Sequence, residues 1–252
     1  MKKLLVFLLV INFAYANKIE EIFKEYNIEG TIVIKALNKN IQYIYNEQRA
    51  KKALLPASTF KIPNSLIILN EKLLKDENEI IKWDNKKRFL EVWNKDQTLK
   101  TAFKYSCVWC YQKYSKEISI DKYKYYLKQF NYGNKKVGKS SYDFWLQGDI
   151  KISALEQIEF LKNLYIENLP VEKKYINIVK NIMIEEKAKE YILSSKTGWA
   201  TFPKEKHGWY VGYIQTKEEV WFFATNLLIS DFNKLSLRKE LTFKVFKTLG
   251  II

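Results

Sequence analysis

Apolar positions change their period twice along this chain. Ile19, Ile22, Phe23 and Tyr26 recur at helical spacing, and Gly30 ends that pattern. Thr31 to Leu37 and Ile41 to Asn46 are then rich in β-branched and aromatic residues, with Asn38-Lys39-Asn40 as the turn between two strands. From Asn64 to about Leu74 the chain is apolar on most sides, which predicts a buried helix. Trp83 to Asp96 is polar and aromatic with no clear period. Helical spacing returns over 98–105 and over 118–130. It returns again after Ser153-Ala154-Leu155-Glu156, a capping box that opens a helix carrying Ile158, Leu161, Leu164 and Tyr165. Val171 to Met183 predicts one more helix. Beyond Glu190 the period shortens: 191–199, 208–215 and 220–229 read as strands of an antiparallel sheet, and 235–249 closes the chain as a helix.

Strands, then helices, then strands and a last helix imply an α+β fold: an antiparallel sheet flanked by N- and C-terminal helices, with an all-helical subdomain inserted. Residues 17–57 and about 190–252 would build the sheet part and about 58–189 the helical part, as a single domain without a linker or an internal repeat. Residues 1–16 stand apart. Lys2-Lys3, the apolar stretch Leu4 to Phe13 and Ala14-Tyr15-Ala16 have the make-up of a secretory signal peptide cleaved after Ala16. The apolar stretch is too short to span a bilayer, so the expected mature protein is soluble, periplasmic and free of the membrane.

With 252 residues and 47% hydrophobic content the chain can bury a large core. Its formal charge of +15 would suit a nucleic-acid binder, but the lysines are spread out and interleaved with glutamates. Glu185-Glu186-Lys187-Ala188-Lys189-Glu190 shows the pattern, which reads as solvated helix faces, and nucleic acid is not an expected partner. The two cysteines, Cys107 and Cys110, form a C-x-x-C pair, a redox motif or a local disulfide in an exported protein. No strand precedes them as in a thioredoxin-like site. His207, the one histidine, falls in an expected hairpin turn and reads as exposed, so neither a Ser-His-Asp triad nor a metal site is built on it.

Chemistry gathers at Pro56-Ala57-Ser58-Thr59-Phe60-Lys61-Ile62-Pro63. Proline is tolerated only in the first turn of a helix, so Pro63 places the helix start near Ser58, as its N-cap, with Lys61 on the same face. A serine at a helix N-terminus beside a desolvated lysine is a candidate nucleophile with its base. Ser106-Cys107-Val108 follows a short helix and would present a hydroxyl to a cleft. Lys196-Thr197-Gly198 lies in a strand where glycine admits a ligand to the backbone and the cation holds an anionic group. Each motif alone is weak; in this order they match the S-x-x-K and K-T-G of penicillin-recognising serine enzymes.

Together with Tyr132-Gly133-Asn134, Phe144-Trp145-Leu146, Trp199, Gly208-Trp209-Tyr210-Val211-Gly212 and Leu237-Arg238-Lys239, these motifs resemble the class D (OXA-type) β-lactamases over essentially the whole mature chain. The S-D-N motif of class A is absent. The resemblance implies the penicillin-recognising, DD-peptidase-like fold and hydrolysis of β-lactam antibiotics, with no metal or organic cofactor. It implies Ser58 as the acylated nucleophile and Lys61 as its base, carboxylated by carbon dioxide (bicarbonate) to N6-carboxylysine. Trp145 would hold the carbamate beside Val108, and Ser106 would relay a proton to the lactam nitrogen. Lys196, Thr197, Gly198, Trp199 and Arg238 would bind substrate, Lys196, Thr197 and Arg238 at its carboxylate. The backbone amides of Ser58 and Trp199 would form the oxyanion hole. Cys107 at the variable position of S-x-V leaves a small disulfide with Cys110 or two free thiols. The competing functions are a penicillin sensor or transpeptidase that acylates without turnover, and a basic exported binding module. A monomer and a homodimer are both compatible with the sequence.

Overall fold

Six strands form one antiparallel sheet in the order β2-β1-β8-β7-β6-β5. The computed structural model describes residues 16–252, so the expected signal segment lies outside the described residues except for Ala16. A first helix, α1, covers 16–25. It leads into β1 (Gly30–Ala36) and β2 (Gln42–Tyr45). The chain then leaves the sheet and returns for β5 (Ile184–Lys187), β6 (Tyr191–Ala200), β7 (His207–Thr216) and β8 (Val220–Leu228). β1 pairs with β8, Val33 opposite Ala224, so the first and last strands lie side by side and the helical part is an insertion. Between them come α2 (Glu47–Lys51), α3 (Lys61–Asn70), a small ladder of β3 (Ile80–Ile81) and β4 (Gln97–Thr98), and α4 (Leu99–Lys104). Then follow α5 (Val108–Ser115), α6 (Ile120–Gln129), α7 (Phe144–Gln147), α8 (Ala154–Tyr165) and α9 (Lys173–Ile182). The last helix is α10 (Leu237–Thr248).

Side chains alternate across a strand, so the sheet sorts its residues into two layers. Ile32, Ile34, Tyr210, Ile214, Phe223 and Leu227 pack against α1 and α10. Val33, Trp209, Val211, Tyr213, Phe222 and Ala224 face the helical part, whose centre is α3, buried along nearly its whole length. The capping box opens α8 as expected: Ser153 Oγ accepts Glu156 N–H at 3.2 Å and Glu156 Oε2 accepts Ser153 N–H at 2.8 Å.

Three expectations are corrected. Ser58 is no N-cap: it lies inside a single 3-10 turn, Ala57–Phe60, and α3 begins only at Lys61. Glu185-Glu186-Lys187 is an edge strand rather than a helix face, and its exposed charges guard the open edge of the sheet. His207 is buried, 1% exposed, because the β6–β7 turn ends before it and the ring faces the segment ahead of Ser58. Among the described residues no helix is long and apolar enough to cross a membrane, and no cluster of three or more His, Cys, Asp or Glu could hold a metal ion.

Candidate active site

The turn that carries Ser58 is shaped by its neighbours. Ala57 takes the left-handed backbone region, φ 48°, which costs an L-residue about 1–2 kcal/mol. Thr59 closes the turn on Pro56 O through its N–H at 3.2 Å and its hydroxyl at 2.8 Å. Lys61 follows at the start of α3, fully buried, with Nζ 3.1 Å from Ser58 Oγ. Its ammonium lies 5.1 Å from the centre of the Tyr111 ring. Ser58 is the second residue of its turn, so its amide has no intrahelical acceptor.

Strand β6 runs against this turn. A Cβ on Gly198 would lie 2.9 Å from Pro56 O and 3.2 Å from Thr59 N, so only glycine permits the approach. The same strand places Lys196 beside Ser106, Nζ to Oγ 2.5 Å. Ser106 is held at φ 55° between α4 and α5. Cys107, just ahead of α5, and Cys110, in its first turn, are joined as a disulfide with Cα atoms 5.5 Å apart. Val108 opens α5, half-buried, and Thr197 and Trp199 are half-buried on β6. Arg238 reaches across from α10: Nη1 donates to Gly198 O at 2.7 Å and Nε to Leu235 O at 2.7 Å, which leaves Nη2 and the second hydrogen of Nη1 as further donors. Trp145 on α7 stacks on Phe60, ring centres 5.7 Å apart, and its buried Nε1–H has no acceptor among the described residues.

The penicillin-binding-protein transpeptidase domain model matches residues 25–247. The β-lactamase OXA-48 of Klebsiella pneumoniae is 42% identical over 230 residues, 91% of this chain and 87% of that protein. The chain belongs to the class D β-lactamases. Two solved structures agree with that membership. The class D β-lactamase of Sebaldella termitidis superposes with a TM-score of 0.90 at 47% identity, covering 93% of this chain and 96% of that one. FUS-1 (OXA-85) of Fusobacterium nucleatum subsp. polymorphum gives 0.91 at 39%, covering 94% and 98%. The resemblance and the fold class read from the motifs are borne out.

Electrostatics in this class D site are set by burial. Desolvation alone brings the Lys61 pKa down to about 7, so the neutral amine is well populated at neutral pH. Lys196 is held well below the usual lysine range by burial first, then by the charges of Lys61, Arg238 and Lys239, with Glu185 opposing. An arriving carboxylate would favour the charged form and pull it back up. Burial also lowers Arg238, to about 10, which leaves it a cation at neutral pH.

Several residues at the site escape a sequence reading. Phe103 lies beneath Lys196, whose Nζ is 5.5 Å from the ring centre. Ser65 Oγ bonds both Lys61 O, at 2.7 Å, and Tyr111 OH, at 2.8 Å, and so ties the lysine's backbone to its aromatic neighbour. Phe232 packs 5.9 Å from the Trp199 ring and Phe89 a further 6.5 Å out, joining the aperiodic 83–96 stretch to the β8–α10 connection. The S-x-x-K motif ends at Lys61, so neither Ser65, one turn further along α3, nor these aromatics carries a sequence signal.

Proposed function

We propose that this enzyme hydrolyses the amide bond of penicillin-type β-lactams, and so confers antibiotic resistance, through a Ser58 acyl-enzyme with N-carboxylated Lys61 as the base. The observation that carries this reading is Lys61 itself: a fully buried amine with a pKa of about 7, 3.1 Å from Ser58 Oγ and with no carboxylate partner among the described residues. A neutral amine adds carbon dioxide, and the donor that such an anion needs is at hand in the unpartnered Nε1–H of Trp145. When carboxylated, Lys61 supplies an anionic base beside the Ser58 hydroxyl.

Ser58 Oγ attacks the lactam carbonyl carbon, the C–N bond breaks, and Ser106, hydrogen-bonded to Lys196, passes the proton to the departing nitrogen. The developing oxyanion would be met by the amides of Ser58 and Trp199. Lys196, Thr197 and Arg238 would hold the substrate carboxylate, the arginine through its remaining N–H donors. Water then cleaves the ester and frees Ser58. Export to the periplasm on the 1–16 segment would place the enzyme where these antibiotics act.

The test is turnover of a chromogenic penicillin with and without bicarbonate. Acid-treated, degassed protein should show a burst and then stall, and bicarbonate should restore turnover. Ser58→Ala should lose covalent labelling by at least about 10³-fold. Full turnover in carbon-dioxide-free buffer, with Lys61 unmodified by carbon-13 NMR, would remove the carbamate. One acylation per molecule under every condition would make the protein a sensor.

A further inference from the structure

The one histidine of the chain has no part in the chemistry above. His207 opens β7 in register with Ala200 of β6 and Leu228 of β8. Its Nε2 lies 2.9 Å from Leu55 O and its Nδ1 2.9 Å from Glu205 O. Two residues along the same face of β7, Trp209 Nε1–H donates to that same Leu55 carbonyl at 2.9 Å. Leu55 stands three residues before Ser58. The backbone between them is stiff: Pro56 at φ −70°, Ala57 at φ 48°, then the turn closed on Pro56 O by Thr59. A left-handed alanine persists only where the surrounding structure holds both ends of the segment. Beyond the turn the chain is fixed by α3. Ahead of it, Leu54 is bonded both ways to Ile152, at 2.9 and 2.8 Å, and the Leu55 carbonyl is gripped by the two side chains of β7.

A carbonyl oxygen offers two lone pairs, and Trp209, which can only donate, fills one. His207 fills the other only when Nε2 carries a proton. Its second nitrogen also faces a carbonyl, so a neutral ring satisfies one of the two and the imidazolium both. We propose that His207 is a positioning residue for Ser58, acting through an Nε2–H bond to the Leu55 carbonyl that fixes the turn of the nucleophile. This rests on Ser58 being the acylated residue.

The charged groups around the ring are Arg49 of α2, Lys52 just past its end, Glu205 of the β6–β7 loop, and Arg238 of α10 behind Gly208. Glu205 binds both Arg49, at 2.8 Å, and Lys52. Burial opposes protonation of His207 most, the Leu55 and Glu205 carbonyls favour it, Arg49 opposes it and the Glu205 carboxylate favours it; the net direction is below the ordinary histidine value. At neutral pH the ring is therefore uncharged and must choose. The Nε2–H tautomer holds the nucleophile's turn, and the Nδ1–H tautomer would hold the β6–β7 loop instead.

Tag-free protein has a single imidazole, so nitrogen-15 NMR of histidine-labelled enzyme reads this tautomer without assignment. Nε2–H near neutral pH is expected; a dominant Nδ1–H form overturns the proposal on unmutated protein. The rate of labelling by a fluorescent penicillin then tests the consequence. His207→Leu should acylate about tenfold more slowly, the effect of one buried hydrogen bond. His207→Gln, whose amide can donate to Leu55 O, should stay within about threefold of wild type. Equal slowing in both variants, or none in the leucine variant, overturns the proposal. Labelling of the wild type at a residue other than Ser58, seen by peptide mass spectrometry, would overturn the acyl-enzyme reading along with it.

Discussion

The two faces of the central sheet are both roofed by helices, yet they are built on opposite principles. Against α1 and α10 the layer is apolar, and the polar groups that enter it are paired: Thr225 with Thr242 at 2.6 Å, Tyr210 with Glu185 at 2.9 Å. The face toward α3 and α8 holds two buried lysines, a buried histidine, and buried polar atoms at Trp145 Nε1, Gln157 Oε1 and Asn226 Nδ2 that have no partner among the described residues. Each unpaired buried polar group costs about 1–3 kcal/mol. One face therefore carries stability and the other gives some of it up to keep reactive groups dry. That division is expected where a strained, desolvated site must be supported from elsewhere.

The largest effect should come from damaging the supporting face. Phe223 is fully buried there, with ring centres 5.0 Å from Tyr210 and 5.2 Å from Phe246. Phe223→Ala should cost about 3–5 kcal/mol in urea unfolding. The penicillin-labelling rate of the molecules that remain folded should not change. A slowed rate in the folded fraction would mean that the two faces are coupled and the contrast is false.

Legibility in the sequence follows the same divide. The last strands of the sheet are rich in aromatic and β-branched residues and pair with neighbours close by in the chain, so 191–199, 208–215 and 220–229 are readable almost to the residue. The S-x-x-K, S-x-V and K-T-G motifs were readable because their order is specific. What was not readable depends on contacts between distant segments. His207 is buried because Leu55 lies against it, 152 positions away in the chain. Ser58 reads as a helix cap by composition, but β6 presses on its turn and moves the start of α3 to Lys61. Helix α5 leaves no helical signature in the sequence because Val108 to Ser115 buries aromatics and a cysteine on several sides and shows no clean period.

A smaller effect, opposite in sign, should follow from relieving the reactive face. Lys61 is fully buried and its pKa falls to about 7, against 10.5 for an ordinary lysine. Between those values the unfolded chain binds more protons than the folded one, so native stability rises with pH across that window. At pH 7 and below, the wild type bears the whole penalty; as pH climbs toward 10.5 the penalty disappears. Lys61→Met removes it at every pH. In carbon-dioxide-free buffer the variant should be inactive yet more stable by about 1–4 kcal/mol at pH 7, with the gap closing at alkaline pH. A gap independent of pH would show that the gain comes from packing rather than from charge.

The disulfide decides how far the contrast reaches. Cys107–Cys110 closes a loop with a sequence separation of 3, so restriction of the unfolded chain contributes only about 2 kcal/mol. By that measure it is a poor staple for a chain of 252 residues. Its position suggests another purpose. Ser106 immediately precedes it at φ 55°, and the N-terminus of α5 at Cys107 has no side-chain cap, so the covalent link adds to the backbone bonds from Ser106 to Phe103 O and from Cys107 to Ala102 O in holding this strained residue. Ser106 Oγ lies beside Lys196 Nζ, and in the proposed mechanism it must stay there to pass a proton to the departing nitrogen. Cys107→Ala/Cys110→Ala should therefore lower unfolding stability by no more than about 2 kcal/mol while slowing penicillin labelling about tenfold, a larger loss than its stability cost implies for folded enzyme. Thiol titration of denatured, unreduced wild type should find no free thiol. If the variant loses stability but labels at the wild-type rate, the bridge serves the scaffold, and the reactive face holds its serine by packing alone.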